Sequence, residues 1–361
     1  MRGADADAST GPSFLRACRR QPVACTPVWV MRQIGRYLPA YQAVRARMSL
    51  LDLCKTPDAA AEVTIRAVEI LGVDAAIIFA DILLVMEPLG VGLSFLQGEG
   101  PMIHRPVRTG EAVRRLPDVD PAESVPFVFE AVRLAREGLG GRVPLIGFAG
   151  APFTLASYLV EGRPSRAFLE TKHLMHADPD AWHTLMERLA VLSTRYLNGQ
   201  IAAGADAVQL FDSWVGCLSP DDYRRFVLPH SRRVIASITP GVPVIHFGTG
   251  TAGLLELMQE AGGDVLGLDW RVDLGQAWGR LGDGVAVQGN LDPALLLASP
   301  AEIRRGVRAV LDGAAGRPGH IFNLGHGVLP HTPWDHVVAM VDAVHELSTG
   351  TGASGRFGSR A

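Results

Sequence analysis

Arg32 and Arg36 stand four residues apart in the segment Pro27–Pro39, directly after an apolar run and beside Gly35. Guanidinium groups bind carboxylates through paired hydrogen bonds and stay charged at any working pH. In a helix, this spacing would place both side chains on one face. We interpret the pair as a floor for a ligand with several carboxylates, the alternative being arginines in surface ion pairs.

A carboxylate follows an apolar strand-like run at Asp81, which closes Ala75–Ala80. Desolvation makes a charge costly there unless a cation or hydrogen-bond donor compensates it. A helix cap is one interpretation. The functional interpretation is an acceptor for ligand N–H groups, or a group that stabilises a transient cation.

Three further polar residues are candidates for the same site. His326 lies between two glycines, which permit a close approach of backbone and imidazole to a ligand, although a solvated turn histidine is the alternative. Tyr158 falls in a predicted helix that opens just after a strand, where core packing is the alternative. Ser213 lacks the Gly-x-Ser-x-Gly pattern, so we do not interpret it as a nucleophile.

Metal and cofactor motifs are absent from the sequence. It contains no His-Glu-x-x-His motif, no Walker loop and no dinucleotide-binding glycine pattern after a first strand. Zinc, ATP and NAD therefore have no positive support, and we expect no cofactor. The glycine-rich run 90–100 is predicted to be a loop.

Apolar runs alternate with helical patterns along the chain, which predicts parallel strands joined by helices. The eight candidate strands are Val28–Met31, Ala75–Phe79, Val143–Phe148, Ala207–Phe211, Val242–His246, Val265–Leu268, Val285–Gln288 and Ile321–Leu324. Eight such units predict a single (β/α)8 TIM-type barrel over residues 14–348, flanked by a disordered leader (1–13) and a disordered tail (349–361).

A barrel of this kind carries its site at the carboxyl ends of the strands. The polar residues that follow the candidate strands should therefore converge on one mouth; they are Arg32, Asp81, Asp212, Ser213, His246, Asp269, Asn290 and His326. Several helices should begin at a capping residue followed by proline, as in Thr56-Pro57, Asp178-Pro179, Ser219-Pro220 and Ser299-Pro300.

Composition limits the possible partners and location. The net charge of −3 argues against nucleic-acid binding, and no apolar run approaches the length of about 20 residues that a membrane-spanning helix needs. Four cysteines without a Cys-x-x-Cys pair make a poor disulfide framework, which favours the cytoplasm.

Several ungapped segments, taken in order, resemble the uroporphyrinogen decarboxylase family. They are Pro27–Pro39, Ile78–Leu83, Gly147–Pro152, Tyr158–Gly162, Phe211–Gly216 and Phe322–Pro330. The resemblance implies a (β/α)8 barrel that forms a homodimer and needs no cofactor. It also implies conversion of uroporphyrinogen III to coproporphyrinogen III, with loss of four acetate carboxyls, in haem biosynthesis.

The resemblance also implies roles for particular residues. Asp81 would accept hydrogen bonds from the pyrrole N–H groups and offset the developing cation, while Arg32 would belong to the catalytic set. Which group delivers the protons is open. The implied substrate-binding residues are Arg32, Gln33, Ile34, Gly35, Arg36, Asp81, Tyr158, Ser213 and His326, with Arg45 as a further candidate at the rim. Ile34 stands where the family usually has alanine.

Two other functions are compatible with the same fold. A zinc-dependent methyltransferase acting on corrinoid or thiol substrates would need a His-x-Cys pair and a later cysteine, but this chain reads His246-Phe-Gly248 and has no cysteine after Cys217. A non-catalytic tetrapyrrole-binding protein would keep the arginines. It would gain little from Asp81, because an added negative charge does not favour binding of anionic side chains.

Overall fold

A curled sheet of parallel strands forms the centre of the computed structural model, which describes residues 11–96 and 100–349. The strands are β1 Ala76–Ile77, β2 Leu93–Leu96, β3 Gly100–Ile103, β4 Leu145–Gly150, β5 Ala207–Asp212, β6 Val244–Gly248, β7 Val265–Gly267, β8 Ala286–Gln288 and β9 His320–Ile321. Seven of them pair in the order β1-β4-β5-β6-β7-β8-β9, every neighbour parallel, while β2 and β3 form a separate antiparallel pair.

The segment 27–31 occupies the eighth position of the barrel. Phe322 donates its amide to the Pro27 carbonyl at 2.8 Å, and Asp74 donates its amide to the Val28 carbonyl at 2.8 Å. The first candidate strand therefore joins the end of β9 to the start of β1, although only Val28 makes a regular bridge, with Phe322. The predicted (β/α)8 barrel is confirmed.

Helices cover the outside of the barrel. They are α1 Ser13–Cys18, α2 Pro39–Arg45, α3 Leu50–Lys55, α4 Pro57–Leu71, α5 Gly110–Arg115, α6 Pro121–Ser124, α7 Pro126–Leu139, α8 Pro152–Glu161, α9 Leu169–Ala177, α10 Pro179–Ala202, α11 Pro220–Phe226, α12 Leu228–Ala236, α13 Leu255–Ala261, α14 Leu274–Leu281, α15 Pro300–Ala314 and α16 Trp334–Ser348, with 3-10 turns at Leu84–Leu89, Val215–Cys217 and Pro293–Leu297. No helix in the described ranges is long and apolar enough to cross a membrane.

Three of the four predicted helix caps are confirmed. The side chains of Asp178, Ser219 and Ser299 accept hydrogen bonds from amides in the first turns of α10, α11 and α15. Thr56 does not cap α4; its hydroxyl donates to the Asp52 carbonyl at 2.7 Å, because it also ends the preceding helix α3.

Other predictions about elements need correction. Two helical patterns in the sequence, over 121–139 and 220–238, each predict one continuous helix. Each region instead forms two helices, divided at Val125 and Val227, which adopt non-helical backbone angles. The predicted loop over 90–100 contains β2, which pairs with β3. The predicted leader lies mostly outside the described residues, although Ser13 begins α1, and nearly all of the predicted tail lies outside them too.

A buried chain of polar side chains crosses the barrel interior. The Trp29 indole donates to the Gln288 amide oxygen at 2.9 Å, and Gln288 in turn donates to the Gln209 amide oxygen at 3.0 Å. All three side chains are fully buried. Because these residues come from the segment 27–31, β8 and β5, the network ties separate parts of the barrel together.

Candidate active site

A cavity of about 260 Å³ opens at the carboxyl ends of the barrel strands. It brings together seven residues predicted for the site: Arg32, Gln33, Ile34, Asp81, Tyr158, Ser213 and His326. The rest of its wall is mainly apolar: Met31, Ile77, Ile78, Phe79, Ile82, Leu83, Pro101, Phe148, Phe211 and Phe247, with Ala80 and Gly327. An apolar cavity with a few convergent polar groups suits an extended organic ligand with charged substituents.

Arg32 lies in a turn after the segment 27–31. Its backbone is left-handed, with φ of 59°, which a non-glycine residue adopts only when its surroundings favour it. The turn is fixed on both sides, since Gln33 donates its amide to the Val30 carbonyl at 3.1 Å and Val328 donates to Met31 at 2.9 Å. Arg32 and Arg36 are therefore not one helical turn apart as expected, because a left-handed residue cannot continue a helix.

Gln33 and Ile34 form the buried part of this floor. Gln33 is fully buried; its amide nitrogen donates to the Ala75 carbonyl at 3.4 Å, and its backbone carbonyl accepts from the Tyr37 hydroxyl at 2.6 Å. Its side-chain oxygen has no hydrogen-bond partner among the described residues. Ile34 is nearly buried, so the larger side chain here adds apolar surface to the cavity.

Asp81 stands on the segment that follows β1 and faces the cavity. One carboxylate oxygen accepts a hydrogen bond from the Leu83 amide at 2.9 Å, the one such bond to this carboxylate in the described part of the chain. Burial raises the pKa of Asp81 above its usual range, while the Leu83 amide and the Arg32 charge act against that shift. The second oxygen is left for a donor on a ligand.

His326 faces the cavity as a neutral hydrogen-bond donor. Its Nδ1 accepts from the Gly327 amide at 2.7 Å, which leaves the proton on Nε2. Burial, together with the charges of Arg32 and Arg271, lowers the pKa of His326 to about 4, against a smaller opposite effect of Asp269. The imidazole is thus uncharged at neutral pH, so Arg32 supplies the positive charge at this wall.

Tyr158 projects from α8, and its ring packs on Trp214 with centroids 3.8 Å apart. Burial and the Asp81 charge raise the pKa of Tyr158, so its hydroxyl remains a neutral donor. Ser213 occupies the turn after β5, where its backbone carbonyl accepts from the Thr249 hydroxyl. Both hydroxyl groups therefore stand on fixed backbone at the cavity wall.

Three predicted site residues do not line the cavity: Gly35, Arg36 and Arg45. Arg36 is exposed on the turn before α2. The Arg45 guanidinium donates to the Met48 carbonyl and interacts with the Tyr41 hydroxyl, so it is engaged within the chain. Their predicted contact with a ligand stays a prediction.

Four other residues expected at the mouth do not line the cavity: Asp212, His246, Asp269 and Asn290. Asp212 and His246 alternate along their strands with cavity-lining neighbours, so both point outward into the helix layer and are fully buried. The Asp212 carboxylate accepts from the Thr154 hydroxyl at 2.9 Å, and burial raises its pKa to about 7. Asn290 donates to the carbonyls of Asp269 and Val272, both at 2.8 Å, so it holds the loop after β7 rather than a ligand.

The aromatic wall and the packing around Arg32 were not predicted. Phe148, Phe211 and Phe247 stand edge to face in sequence around the cavity, with centroids 5.6 and 5.9 Å apart. Each lies at or near the end of an apolar run, so the barrel prediction combined with strand alternation would have identified them. Gly327 packs against the Arg32 side chain, a contact for which the sequence carries no signal beyond the glycine itself.

No group of three or more metal-binding side chains occurs within residues 11–96 and 100–349. The zinc site of the methyltransferase alternative would begin at His246. The chain just after α13 covers this residue, since a Cβ at Gly263 would lie 3.4 Å from the Cβ of His246. All four cysteines are free thiols. The donor set therefore does not fit a thiolate zinc site.

Comparison with known proteins identifies the family. Residues 10–347 match the profile of the uroporphyrinogen decarboxylase (URO-D) family. A uroporphyrinogen decarboxylase from Sorangium cellulosum is 56% identical over 335 residues, covering 92% of this chain and 96% of that protein. One from Roseiflexus sp. is 53% identical over 345 residues, covering 94% of this chain and 99% of that protein.

A solved methyltransferase structure from Methanosarcina mazei aligns with a TM-score of 0.75 over 92% of this chain and 97% of that one. Its sequence identity is 21%, so this similarity concerns the fold alone. The match to the family profile and the identity to its members extend over nearly the whole chain. The chain belongs to the uroporphyrinogen decarboxylase family.

Proposed function

We propose that this enzyme is a carboxy-lyase that removes the carboxyl groups from the four acetate side chains of uroporphyrinogen III, giving coproporphyrinogen III and four molecules of carbon dioxide in haem biosynthesis. The observation that carries the proposal is the placement of Asp81. Its carboxylate, with one oxygen unpartnered, shares an apolar cavity with the Arg32 guanidinium and the His326 Nε2–H. A centre that binds N–H groups thus adjoins groups that bind carboxylates.

The reaction needs a temporary electron acceptor, because direct loss of carbon dioxide from a pyrrole acetate would leave a poor carbanion. Protonation of a pyrrole carbon creates a cation, and the electrons of the breaking bond to the carboxyl carbon then flow into the ring. The resulting exocyclic methylene takes up a proton to become methyl, while the ring carbon loses the proton it gained. In the net reaction, each acetate side chain takes up one proton, releases its carboxylate as carbon dioxide and becomes a methyl group.

Asp81 acts on the cationic stage. Its free oxygen accepts the pyrrole N–H groups, and its negative charge is close to the ring when the ring becomes positive. A preorganised group of this kind contributes about 3 kcal/mol to transition-state stabilisation. The Leu83 amide holds the carboxylate in place before the substrate binds.

Arg32, His326, Tyr158 and Ser213 hold the carboxylates and orient the ring. Arg32 contributes the charge and His326 a neutral donor, which lets an acetate bind without placing two cations in contact. The phenylalanine wall packs against the pyrrole rings of the macrocycle. A guanidinium is a weak acid, so any proton that Arg32 delivers passes by way of a bound carboxyl or water.

We also propose that the enzyme works as a homodimer in the cytoplasm and without a metal or organic cofactor. Its four free thiols are compatible with a reducing compartment. Sedimentation equilibrium at micromolar concentration tests the homodimer. The measured mass should be twice the chain mass of 38.6 kDa. A single species at the monomer mass would reject it.

The test of the activity is anaerobic incubation of the metal-stripped protein with uroporphyrinogen III, followed by oxidation and separation of products by carboxyl number. We expect porphyrins with seven to four carboxyls to appear in succession without added metal. Unchanged substrate, with a folded protein verified by circular dichroism, would reject the proposal. Activity that returns only with added zinc would instead favour metal-dependent chemistry.

A further inference from the structure

Beyond the cavity lining, a second guanidinium stands on the other side of His326. The Arg271 guanidinium lies over the Trp270 ring, with its Cζ 3.8 Å from the ring centroid. The Trp270 ring in turn meets the His326 ring edge to face, with centroids 6.1 Å apart. The three side chains therefore form one continuous layer that leads from the protein surface to the cavity wall.

The backbone fixes this layer. Gly325, next to His326, packs so closely on the chain at Trp270 that a Cβ at Gly325 would lie 2.8 Å from the carbonyl carbon of Asp269. On the far side of His326, Gly327 packs against the side chain of Arg32. His326 is thus bracketed by Arg32 and Arg271, and the charges of both act on its imidazole.

Arg271 has more donors than its internal partner uses. Asp269, whose side chain is 1% exposed, already accepts the backbone amides of Gly250 and Arg271 and takes one guanidinium nitrogen at 2.8 Å. The Arg271 side chain is 52% exposed. A guanidinium stacked on an aromatic ring keeps its edge available for a carboxylate, and the stack restricts its motion before binding.

We propose that Arg271 is a further substrate-binding residue, which pairs with a carboxylate of the tetrapyrrole side chains at the rim of the cavity beside His326. This inference rests on the proposed function, because it requires a ligand with more carboxylates than Arg32 alone can hold. The eight carboxylates of uroporphyrinogen extend from every edge of the macrocycle. Those at the outer edge meet Arg271 while the reacting acetate lies near Asp81.

Arg317 provides a matched control. Its guanidinium also lies over a tryptophan, 4.3 Å from the Trp278 ring centroid. It precedes β9 and so stands at the amino ends of the strands, opposite the cavity. Loss of Arg317 removes the same charge and the same type of stacking without touching the rim.

The experiment compares Arg271→Gln, Arg271→Lys and Arg317→Gln by two readouts. One is the KM and kcat for uroporphyrinogen III under anaerobic conditions. The other is the dissociation constant of uroporphyrin I, a stable octacarboxylate, measured by quenching of tryptophan fluorescence at 50 and 300 mM salt. The binding readout is independent of turnover, so a failure of the decarboxylase activity and a failure of this inference are distinguishable.

We expect Arg271→Gln to raise both the KM and the dissociation constant about fivefold, to leave kcat within about twofold, and to weaken the salt dependence of binding. Arg271→Lys should give a KM and a dissociation constant between those of wild type and Arg271→Gln, because lysine keeps the positive charge but lacks the planar group that stacks on Trp270. Arg317→Gln should match wild type. The inference is overturned if Arg271→Gln and Arg317→Gln give equal constants, or if Arg271→Gln lowers kcat alone.

Arg271→Lys also separates binding from structural support, because lysine can still pair with Asp269. A purely structural role predicts a lower melting temperature for Arg271→Gln with an unchanged dissociation constant well below that temperature, and this result would overturn the inference. A weaker dissociation constant at an unchanged melting temperature supports it.

Discussion

Gly327 packs directly against the side chain of Arg32, and a Cβ at this glycine would lie 2.6 Å from Cγ and 3.0 Å from Nε of the arginine. The same glycine donates its amide to His326 at 2.7 Å. A residue without a side chain thus sets the position of the arginine and the tautomer of the histidine. The wall that we propose to bind carboxylates depends on this close contact.

Gly327→Ala should displace the Arg32 side chain from its place beside the cavity. We expect kcat/KM for uroporphyrinogen III to fall about ten- to a hundredfold, because a small misplacement of a positioning group is costly in catalysis. The melting temperature should change little, because Arg32 is exposed and can turn toward solvent. Gly253→Ala is the control, since a methyl group there meets nothing within 4 Å. Equal kinetics for the two variants would contradict the role of this contact.

Tyr158→Phe should remove a ligand contact without disturbing the fold. The Tyr158 ring stacks on Trp214, and its hydroxyl forms no hydrogen bond with any described residue, so phenylalanine keeps the packing. We expect kcat/KM to fall roughly tenfold, the effect of one hydrogen bond to a charged group, with an unchanged thermal transition. Wild-type kinetics in this variant would mean that the hydroxyl does not contact the substrate.

Gln288→Leu should destabilise the barrel through its interior. The change leaves the Trp29 indole and the Gln209 amide oxygen buried without their partner, at a cost of about 3 kcal/mol in the free energy of unfolding. Urea denaturation measures this loss. The double variant Gln288→Leu with Gln209→Leu should recover part of it, because one of the orphaned groups is removed as well. If the double variant instead loses further free energy of unfolding, equal to the sum of the two single losses, the broken network is not the cause of the destabilisation.

His345 should contribute stability that depends on pH. Its Nε2 lies 2.8 Å from the Asp74 carboxylate, and this hydrogen bond, with the Asp74 charge, raises the pKa of His345 against the opposing effect of burial. Because the folded pKa exceeds the unfolded value of about 6.5, the contribution is fully present below that pH and is lost as pH rises through the folded pKa.

Urea titrations of wild type and His345→Gln at several pH values measure this linkage. The difference in the free energy of unfolding between wild type and His345→Gln should be largest near pH 6 and should vanish in alkaline solution. It should not exceed about 1 kcal/mol, because about a third of each side chain is exposed to solvent, which screens the interaction. Asp74→Asn should abolish the pH dependence of the difference. A difference that grows with pH would contradict the assignment.

The sequence predicted the barrel well because its signals are local and repeated. Apolar runs, proline at the first helical position and capping side chains each act within a few residues. Seven of the eight predicted strands therefore overlap a paired strand, and three of the four predicted caps form. The eighth, at 28–31, depends on hydrogen bonds from Asp74 and Phe322, which are distant in sequence.

The site was predicted by residue type more reliably than by side-chain direction. Asp81, Ser213 and His326 reach the cavity because they stand on the segments that follow β1, β5 and β9. Asp212 and His246 have similar positions, but alternation along the strand turns them outward. The left-handed backbone at Arg32, which separates it from Arg36, follows from the Val328 and Gly327 contacts and has no local sequence signal.

The central claim is that the Asp81 carboxylate stabilises a cationic pyrrole, and Asp81→Asn tests it most directly. The amide has almost the same shape and can still accept one pyrrole N–H, but it carries no charge. The measurement is release of carbon dioxide from uroporphyrinogen III in anaerobic single turnovers, with binding of uroporphyrin I followed in parallel. We predict that the rate falls at least a hundredfold while the dissociation constant changes less than about threefold. A variant that binds uroporphyrin I equally well and releases carbon dioxide at the wild-type rate would contradict the account.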